Sequence, residues 1–362
     1  MSKQPLITHV LWGLPLAGAE RMVTDLCARL PSRGYRTRVL AAGGGGAMEQ
    51  ELIAQGVSYA IGPATKDRRQ TVRFLREQFK QDAPDLLHTH LGGDIWGGLV
   101  AWWDVLHPWV ITAHNMDQDD GWLLHQARRL AFQHADQVVC ISEGVETYVK
   151  QEFKVSATQI SRISNGIDLK KCLPRGGHGF QDIPHLVTVG RLSRQKNQAV
   201  LLRALARIKR PWRLSILGEG PEEKPLQRLA ASLGILPRVQ FLGTVPDARA
   251  FLQQADVFCF PSRWEGQSLA LLEAAACGVP IIASELAVFH EMFDADTILY
   301  ADVDHEAAWA EMIEQVIAQP TLALQRARRA ELLVHERFSV ERMVESYASL
   351  YKRLLRSKAQ PR

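Results

Sequence analysis

The sequence predicts an α/β protein of two doubly wound domains, each a parallel sheet with helices on both faces, and three observations carry that prediction. Short β-branched runs alternate with longer stretches of helical periodicity along almost the whole chain. The alternation stops once, at "LKKCLPRGGHGFQDIP" (Leu169–Pro184), which is rich in Gly, Pro and basic residues and has no apolar period, and then it restarts. The length of 362 residues is enough for two domains of ordinary size, each with a core of its own. The expected layout is a first domain over 1–168, a linker over 169–184 and a second domain over 185–339, facing each other across a cleft, with a helix in 340–362 that packs back on the first.

Taken in order, "ITHVLW" is a strand and "AERMVTDLCARL" the helix after it, with Met22, Val23, Leu26 and Leu30 on one helical face before Gly34 ends it. "LITHVLWGLPLAGA" has some of the apolar character of a secretory leader, but His9 and Pro15 interrupt it, so strand and loop is the reading kept. "AAGGGG" (Ala41–Gly46) lacks the third glycine of a dinucleotide fingerprint and follows the second strand rather than the first; it reads as a flexible turn. "YRTRVLA", "DLLHTH", "WVITA" and "QVVCI" continue the strand series, and "ISNGID" (Ile163–Asp168) closes the unit on an Asn-Gly turn. In the second half the strand candidates are "HLVTVG", "WRLSILG", "VQFLG", "VFCFP", "VPIIAS" and "TILY". In "ERFSVERMVESYASLYKRLLR" the stripe Val340, Met343, Val344, Tyr347, Leu350 and Tyr351 marks a helix with one buried face.

Composition narrows the function classes. Hydrophobic residues at 46% and charged residues at 23% are globular proportions. The net charge of +4 is too mild to call for nucleic acid. Cys27, Cys140, Cys172, Cys259 and Cys277 are scattered, odd in number and never spaced CxxC, which suggests neither a disulfide framework nor a zinc site and fits a reducing cytosol. Long apolar stretches are interrupted by a charge or proline, as Leu99–Ala113 is by Asp104 and Pro108, so none reaches the ~18 residues of a membrane span. Charge does cluster locally: in "KDRRQTVRFLREQFK" (Lys66–Lys80), Arg69, Arg73, Arg76 and Lys80 recur on one helical face. That face is either solvated or a peripheral contact with anionic lipid at the inner face of the cytoplasmic membrane.

Ligands of doubly wound sheets bind at the carboxyl ends of the strands, so the loops there are where chemistry is expected. In "GRLSRQKNQAVLLRAL", Gly190 allows a sharp turn, Arg191 and Lys196 supply two cations, and a helix begins near Asn197 with free N–H groups. Together they suit a diphosphate; as an isolated pair they fit solvated surface charges equally well. "GEGPEEKPLQRLA", from Gly218, has the glycine-then-acid start of a capped helix. In "RWEGQSLALLEAAACGVP" (Arg263–Pro280), Glu265 falls in the loop after a buried strand, Ser268 is the expected N-cap, Gly278 the stop, and Glu273 lies one to two turns into the helix. Carboxylates here would accept bonds from sugar or ribose hydroxyls, and the amides of Gln267–Leu269 would suit phosphate or sugar, although Glu273 also fits a salt bridge across the helix. Asp-x-Asp occurs at Asp117–Asp119, Asp294–Asp296 and Asp302–Asp304; none follows a strand in a metal-site setting, so all three read as surface loops and no metal is expected.

In this order, "AGAERMVTDLCARL", "NGID", "GRLSRQKN", "GEGP", "FLGTV" and "ADVFCFPSRWEGQSLALLEAAACGVPIIAS" resemble the family 4 glycosyltransferases of the GT-B fold, over nearly the whole chain. The resemblance implies retaining, metal-independent transfer of a hexose from a nucleotide diphosphate sugar, with a UDP-sugar as co-substrate and no other cofactor. The acceptor it implies is a glycan or lipid-linked molecule in the cytoplasmic synthesis of bacterial cell-surface polysaccharide or lipopolysaccharide. It assigns Arg191 and Lys196 to the donor diphosphate, Glu273 to the ribose hydroxyls, and Glu265 to the sugar hydroxyls near the reacting carbon. His114, in "ITAHN", matches a histidine beside the donor sugar, and Gly18 matches the backbone that approaches the phosphates. Gly190, Gly243, Thr244, Val245, Gln267, Ser268 and Leu269 complete the implied donor lining.

Two departures limit the resemblance: Ala17 and Gly18 stand where two glycines are usual, and Gln267 and Ser268 replace a Phe-Gly pair, so the identity of the sugar does not carry over. Without the family context His114 reads as a packed or capping histidine. The competing functions are a sugar-nucleotide epimerase or hydrolase, which would turn over donor without acceptor, and a non-catalytic nucleotide-binding partner, which would bind without transfer. Substituting Arg191 or Lys196 is expected to cost turnover while leaving folding nearly untouched.

Overall fold

The computed structural model describes residues 4–104, 106, 108–116, 121–176 and 179–359. The chain divides into two compact units: Met1–Gly166 with Val340–Arg362, and Ile167–Ser339.

Unit 1 is built on strands β1 (Leu6–Leu11), β2 (Arg36–Ala41), β3 (Ser58–Ile61), β4 (Leu86–His90), β5 (Trp109–Ala113), β6 (Gln137–Cys140) and β7 (Ile160–Arg162). All pair in parallel, in the order β3-β2-β1-β4-β5-β6-β7. The chain starts in the middle, winds out to β3 and returns beside β1, so the order reverses between β1 and β4. Helices cover both faces, which is why β1, β4, β5 and β6 are buried along their whole length. Alternate residues feed different cores, as period-2 strands require. Ile7, Leu11, Val110 and Val139 pack with the helices Gly18–Arg29 and Val340–Ala359, whereas Val10, Leu87, Ile111 and Val138 pack with Leu75, Phe79, Phe132 and Val149. The helix Val340–Ala359 inserts the apolar stripe read from the sequence: Val340, Met343, Val344, Tyr347, Leu350 and Tyr351 are all buried.

Unit 2 repeats the plan with β8 (His185–Val189), β9 (Arg213–Leu217), β10 (Val239–Phe241), β11 (Val257–Phe260), β12 (Ile281–Ser284) and β13 (Leu299–Ala301), ordered β10-β9-β8-β11-β12-β13 and all parallel. The stretch Leu169–Pro184, expected as a linker, is docked on this unit. Cys172 is buried in its core, Arg175 N donates to Cys277 O at 2.9 Å, and the Arg175 guanidinium pairs with Asp256 at 3.0 Å, both side chains at most 5% exposed. Asp256 also accepts from the backbone of His185 at 2.9 Å, so one buried carboxylate ties the stretch to the first strand of the unit. Basic residues that look like linker composition are here partly consumed by an interior ion pair.

Candidate active site

In unit 2 the loops at the carboxyl ends of β8, β9 and β11 are knitted together. Gly190 N donates to Leu217 O and Leu192 N to Glu219 O, both at 2.9 Å, so the first two loops run side by side. They can do so because position 218 is glycine: a Cβ there would lie 2.1 Å from Gly190 O, and its φ of +129° is one that side chains rarely adopt. Gly218 N donates to Gly243 O at 2.7 Å and Thr244 N to the Glu219 carboxylate at 3.1 Å, which brings Gly243, Thr244 and Val245 to the same edge. The "GEGP" segment is therefore a close-packed backbone contact. The helix expected after it is present as Glu223–Ser232, with Glu223 in its first turn, but its N-cap residue Glu222 makes no side-chain capping bond.

Lys196 sits in the turn before the helix Gln198–Arg207. Its ammonium donates to Glu265 Oε1 and lies 4.9 Å from the centre of the Phe260 ring, the last residue of β11. Two residues assigned from separate segments, Lys196 and Glu265, are thus in direct contact. Arg191 is exposed, and its guanidinium has no hydrogen-bonded or ionic partner among the described residues. Arg263 braces the same loops from behind: its backbone N donates to Gln195 O at 2.7 Å and its guanidinium to Arg194 O at 2.9 Å and Asp304 Oδ1 at 2.6 Å. Asn197, held at φ +51°, donates to Val303 O at 2.9 Å and Asp304 Oδ1 at 3.2 Å. The sequence assigns Arg263 no role, reads Asn197 only as a helix start and Asp304 only as part of a surface loop, because the partners that join them lie far apart in the chain.

The helix Leu269–Ala276 begins as expected, with Ser268 Oγ accepting from Leu271 N at 3.3 Å, and gives way to Gly278 at φ +68°. Glu265, Gln267, Ser268 and Glu273 are all buried, and Leu269 is half-buried. Glu273 is not an isolated carboxylate. Burial opposes the charge of Arg249, yet its bidentate bond to Asp247 and then the charge of Glu273 raise its pKa above the ordinary value.

In unit 1, Gly18 opens the helix Gly18–Arg29 behind Ala17, which makes no side-chain cap, and is exposed, so its end of the helix carries free N–H groups. Two residues on, Glu20 is buried, its Oε2 has no partner among the described residues, and burial pushes its pKa up to about 7. Nothing local marks it, because an acid in a first helical turn is ordinary. His114, just after β5, is buried and belongs to a chain of hydrogen-bonded rings. Its Nε2 is 3.1 Å from His90 Nδ1, and His90 Nε2 is 3.1 Å from His9 Nδ1. His88 stands beside them, its Nδ1 2.6 Å from Tyr351 Oη and its Nε2 2.7 Å from Thr112 Oγ1.

Among the described residues His9, His88 and His90 form the one cluster with metal-ligand spacing, and their nitrogens are mostly engaged with each other and with hydroxyls. The Asp-x-Asp pairs at Asp294–Asp296 and Asp302–Asp304 fold their own loops: Asp294 Oδ1 accepts from Asp296 N at 3.1 Å and Asp302 Oδ1 from Asp304 N at 3.2 Å. The pair at Asp117–Asp119 lies outside the described residues.

On the helix Arg68–Asp82, Arg69, Arg73 and Lys80 are exposed. Arg76 departs from the expected cationic face, since it is held by both oxygens of Asp104 at 2.9 and 3.2 Å and lies against Trp103. Beside it the helix Gly93–Trp103 exposes Leu99, Trp102 and Trp103, and the next, Trp122–His134, exposes Trp122, Leu123 and Leu130. Among the described residues no helix is long and apolar enough to cross a membrane.

Comparison with known proteins matches residues 16–171 to the family "Glycosyltransferase Family 4" and residues 183–319 to "Glycosyl transferases group 1". A lipopolysaccharide core biosynthesis glycosyltransferase, LpsE, of Rhizobium meliloti (strain 1021) is 27% identical over 354 residues, spanning 95% of this chain and 98% of that protein. A GDP-mannose-dependent phosphatidylinositol monomannoside mannosyltransferase of Mycolicibacterium smegmatis is 32% identical over 197 residues, 48% of this chain and 51% of its own. Among solved structures, Anabaena Alr3699/HepE in complex with UDP-glucose has the same fold, with a TM-score of 0.86 and 19% identity over 96% of this chain and 100% of that one. With both halves matched and each unit carrying a doubly wound parallel sheet, the chain belongs to the family 4 glycosyltransferases of the GT-B fold.

Proposed function

We propose that this glycosyltransferase moves a hexose from a nucleoside diphosphate sugar to a glycan or lipid-linked acceptor of a bacterial surface polysaccharide, with retention of configuration and without a metal ion. The observation that carries the reading is the pairing of Lys196 with the buried Glu265, with Arg191 unpaired on the same loop. In the proposed step the acceptor hydroxyl bonds to the anomeric carbon on the face the diphosphate leaves. The bond from that carbon to the diphosphate oxygen breaks, and the hydroxyl proton passes to the departing phosphate. Arg191 and Lys196 neutralise the charge growing on that group, the task a metal would otherwise perform. Glu265 orients Lys196 and accepts from sugar hydroxyls, Glu273 accepts from the ribose, and the backbone at Gly190, Gly243–Val245 and Gln267–Leu269 lines the donor. The family resemblance further assigns His114 to the transferred sugar and the N–H groups at Gly18 to phosphate.

Uridine is the base we favour, as in the UDP-glucose complex of the Anabaena protein; the mannosyltransferase relative takes GDP-mannose, so both bases belong in the test. The lipopolysaccharide role of the Rhizobium relative supports the acceptor class. We place the enzyme at the cytoplasmic face of the membrane, held by Arg69, Arg73 and Lys80 with the exposed tryptophans of the neighbouring helix, a pairing of cations and amphipathic rings that suits an anionic lipid interface.

The test is product mass spectrometry with UDP- and GDP-hexoses and lipid-linked acceptors in the presence of EDTA. Arg191→Ala should lower turnover about 100-fold or more. Near-normal turnover in that variant refutes the diphosphate assignment. Activity lost in EDTA and restored by manganese refutes the metal-free mechanism, and donor consumed without acceptor refutes transfer.

A further inference from the structure

His9, His90 and His114 lie on β1, on β4 and just after β5, neighbours at the centre of the sheet, so the three rings form a row across it. Both links of the row are 3.1 Å, from His9 Nδ1 to His90 Nε2 and from His90 Nδ1 to His114 Nε2. Burial keeps the rings neutral: the pKa falls to about 3 at His9 and about 4 at His114, and lies well below the ordinary value at His90. His88 packs against the row but does not join it, because Tyr351 and Thr112 occupy its nitrogens.

A neutral imidazole has one N–H and one lone pair, so both links must run in the same direction and only two arrangements exist. In one, His114 donates from Nε2, His90 donates from Nε2, and the row ends in a His9 Nε2–H. In the other, His9 and His90 donate from Nδ1, and the row ends in a lone pair at His9 Nε2. That atom is fully buried and has no partner among the described residues. A buried N–H left unpaired is rarer in folded proteins than an unpaired acceptor, which selects the second arrangement. It has a consequence at the other end of the row. His114 must then carry its proton on Nδ1, the nitrogen the row does not use.

We infer that His90 and His9 are positioning residues that lock His114 in the Nδ1–H tautomer, so that His114 meets the transferred sugar as a hydrogen-bond donor. What His114 touches rests on the proposed function; the tautomer does not.

The primary experiment is a ¹⁵N–¹H correlation spectrum of the imidazoles in the full chain labelled at histidine, near neutral pH. His9, His90 and His114 should all show the Nδ1–H pattern; an Nε2–H pattern or an imidazolium at His114 overturns the inference. Because the wild-type protein is the sample, failure of a variant to fold leaves this test intact, and it stands or falls apart from donor identity. His90→Asn keeps an amide donor near the position of Nδ1, whereas His90→Leu removes it. His90→Leu should lower kcat roughly tenfold with KM for donor little changed and should release the tautomer of His114, while His90→Asn retains both. Equal losses in the two variants, with the tautomer of His114 unchanged, would reduce His90 to packing.

Discussion

Replacing Lys196 by alanine should destabilise unit 2 as well as slow the reaction, and the geometry sets the size. The Lys196 and Glu265 side chains are 18% and 7% exposed, and Lys196 is the one hydrogen-bond partner of that carboxylate among the described residues. Removing one member of a fully buried pair costs about 3–5 kcal/mol, because the other charge is stranded. Lys196 is partly wet and water can follow its loss, so a cost of about 2–3 kcal/mol is expected. For a unit of this size that is a fall of about 4–12 °C in melting temperature. Arg191, exposed and unpaired, should give a melt within about 0.5 kcal/mol of wild type when changed to alanine. From sequence both substitutions are expected to spare the fold; the contacts of the two side chains now predict different outcomes, a spared fold for Arg191→Ala and a destabilised one for Lys196→Ala. The assay is urea and thermal unfolding of wild type, Lys196→Ala, Glu265→Gln and the double variant. The double variant should regain more than about 1 kcal/mol relative to the sum of the single ones. A Lys196→Ala protein that melts like wild type, or a cycle without coupling, would show that the pair is not a unit.

Three further outcomes are expected. Glu273→Gln should weaken nucleotide binding by ~1–3 kcal/mol by calorimetry, through loss of a charged acceptor, and an unchanged affinity would leave Glu273 a partner of Arg249 only. Glu20 in the folded chain holds its proton up to about pH 7, against an ordinary value of 4.5, so the folded state binds the extra proton between these values and stability falls as pH rises through them. Glu20→Gln should therefore stabilise by up to about 3 kcal/mol at pH 8 and by little at pH 4, and a gain equal at both pH values would contradict the burial argument. Changing Arg69, Arg73 and Lys80 to Glu should abolish low-salt co-sedimentation with anionic liposomes, and Trp102→Ser with Trp103→Ser should weaken it at high salt too; binding unaltered by either set removes this face as the membrane contact.

The central strands were legible because sheets covered on both faces leave continuous apolar runs, as "WVITA" and "VFCF" do. The edge strands β3 (SYAI) and β7 (ISR) were not, since each is short and half-exposed and has neither a buried run nor a clean alternation. The motif residues of unit 2 could be placed on the right loops from local rules alone, down to the Ser268 cap. What local rules cannot supply is contact across 69 residues, so the bond between Lys196 and Glu265 was invisible, as was the use of Arg175 by Asp256. The histidine cluster left a faint trace: His88 and His90, two apart on one strand, must face the same way. Nothing in the sequence said that His9 would meet them, because that depends on β4 returning beside β1.

That return has a counterpart at the level of the whole chain. Unit 1 is assembled from two segments, one translated before unit 2 and one after it, whereas unit 2 is a single uninterrupted stretch. On the ribosome the seven-stranded sheet of unit 1 emerges first, yet the face that receives Tyr347 and Tyr351 stays uncovered until all of unit 2 has been made and Val340–Ala359 follows it out. The order of completion is therefore inverted with respect to the order of synthesis: unit 2 can close its core while unit 1 still waits for a helix. A premature stop near residue 339 would release a chain with unit 2 whole and His88 without the phenol of Tyr351, its apolar face open to chaperones and proteases.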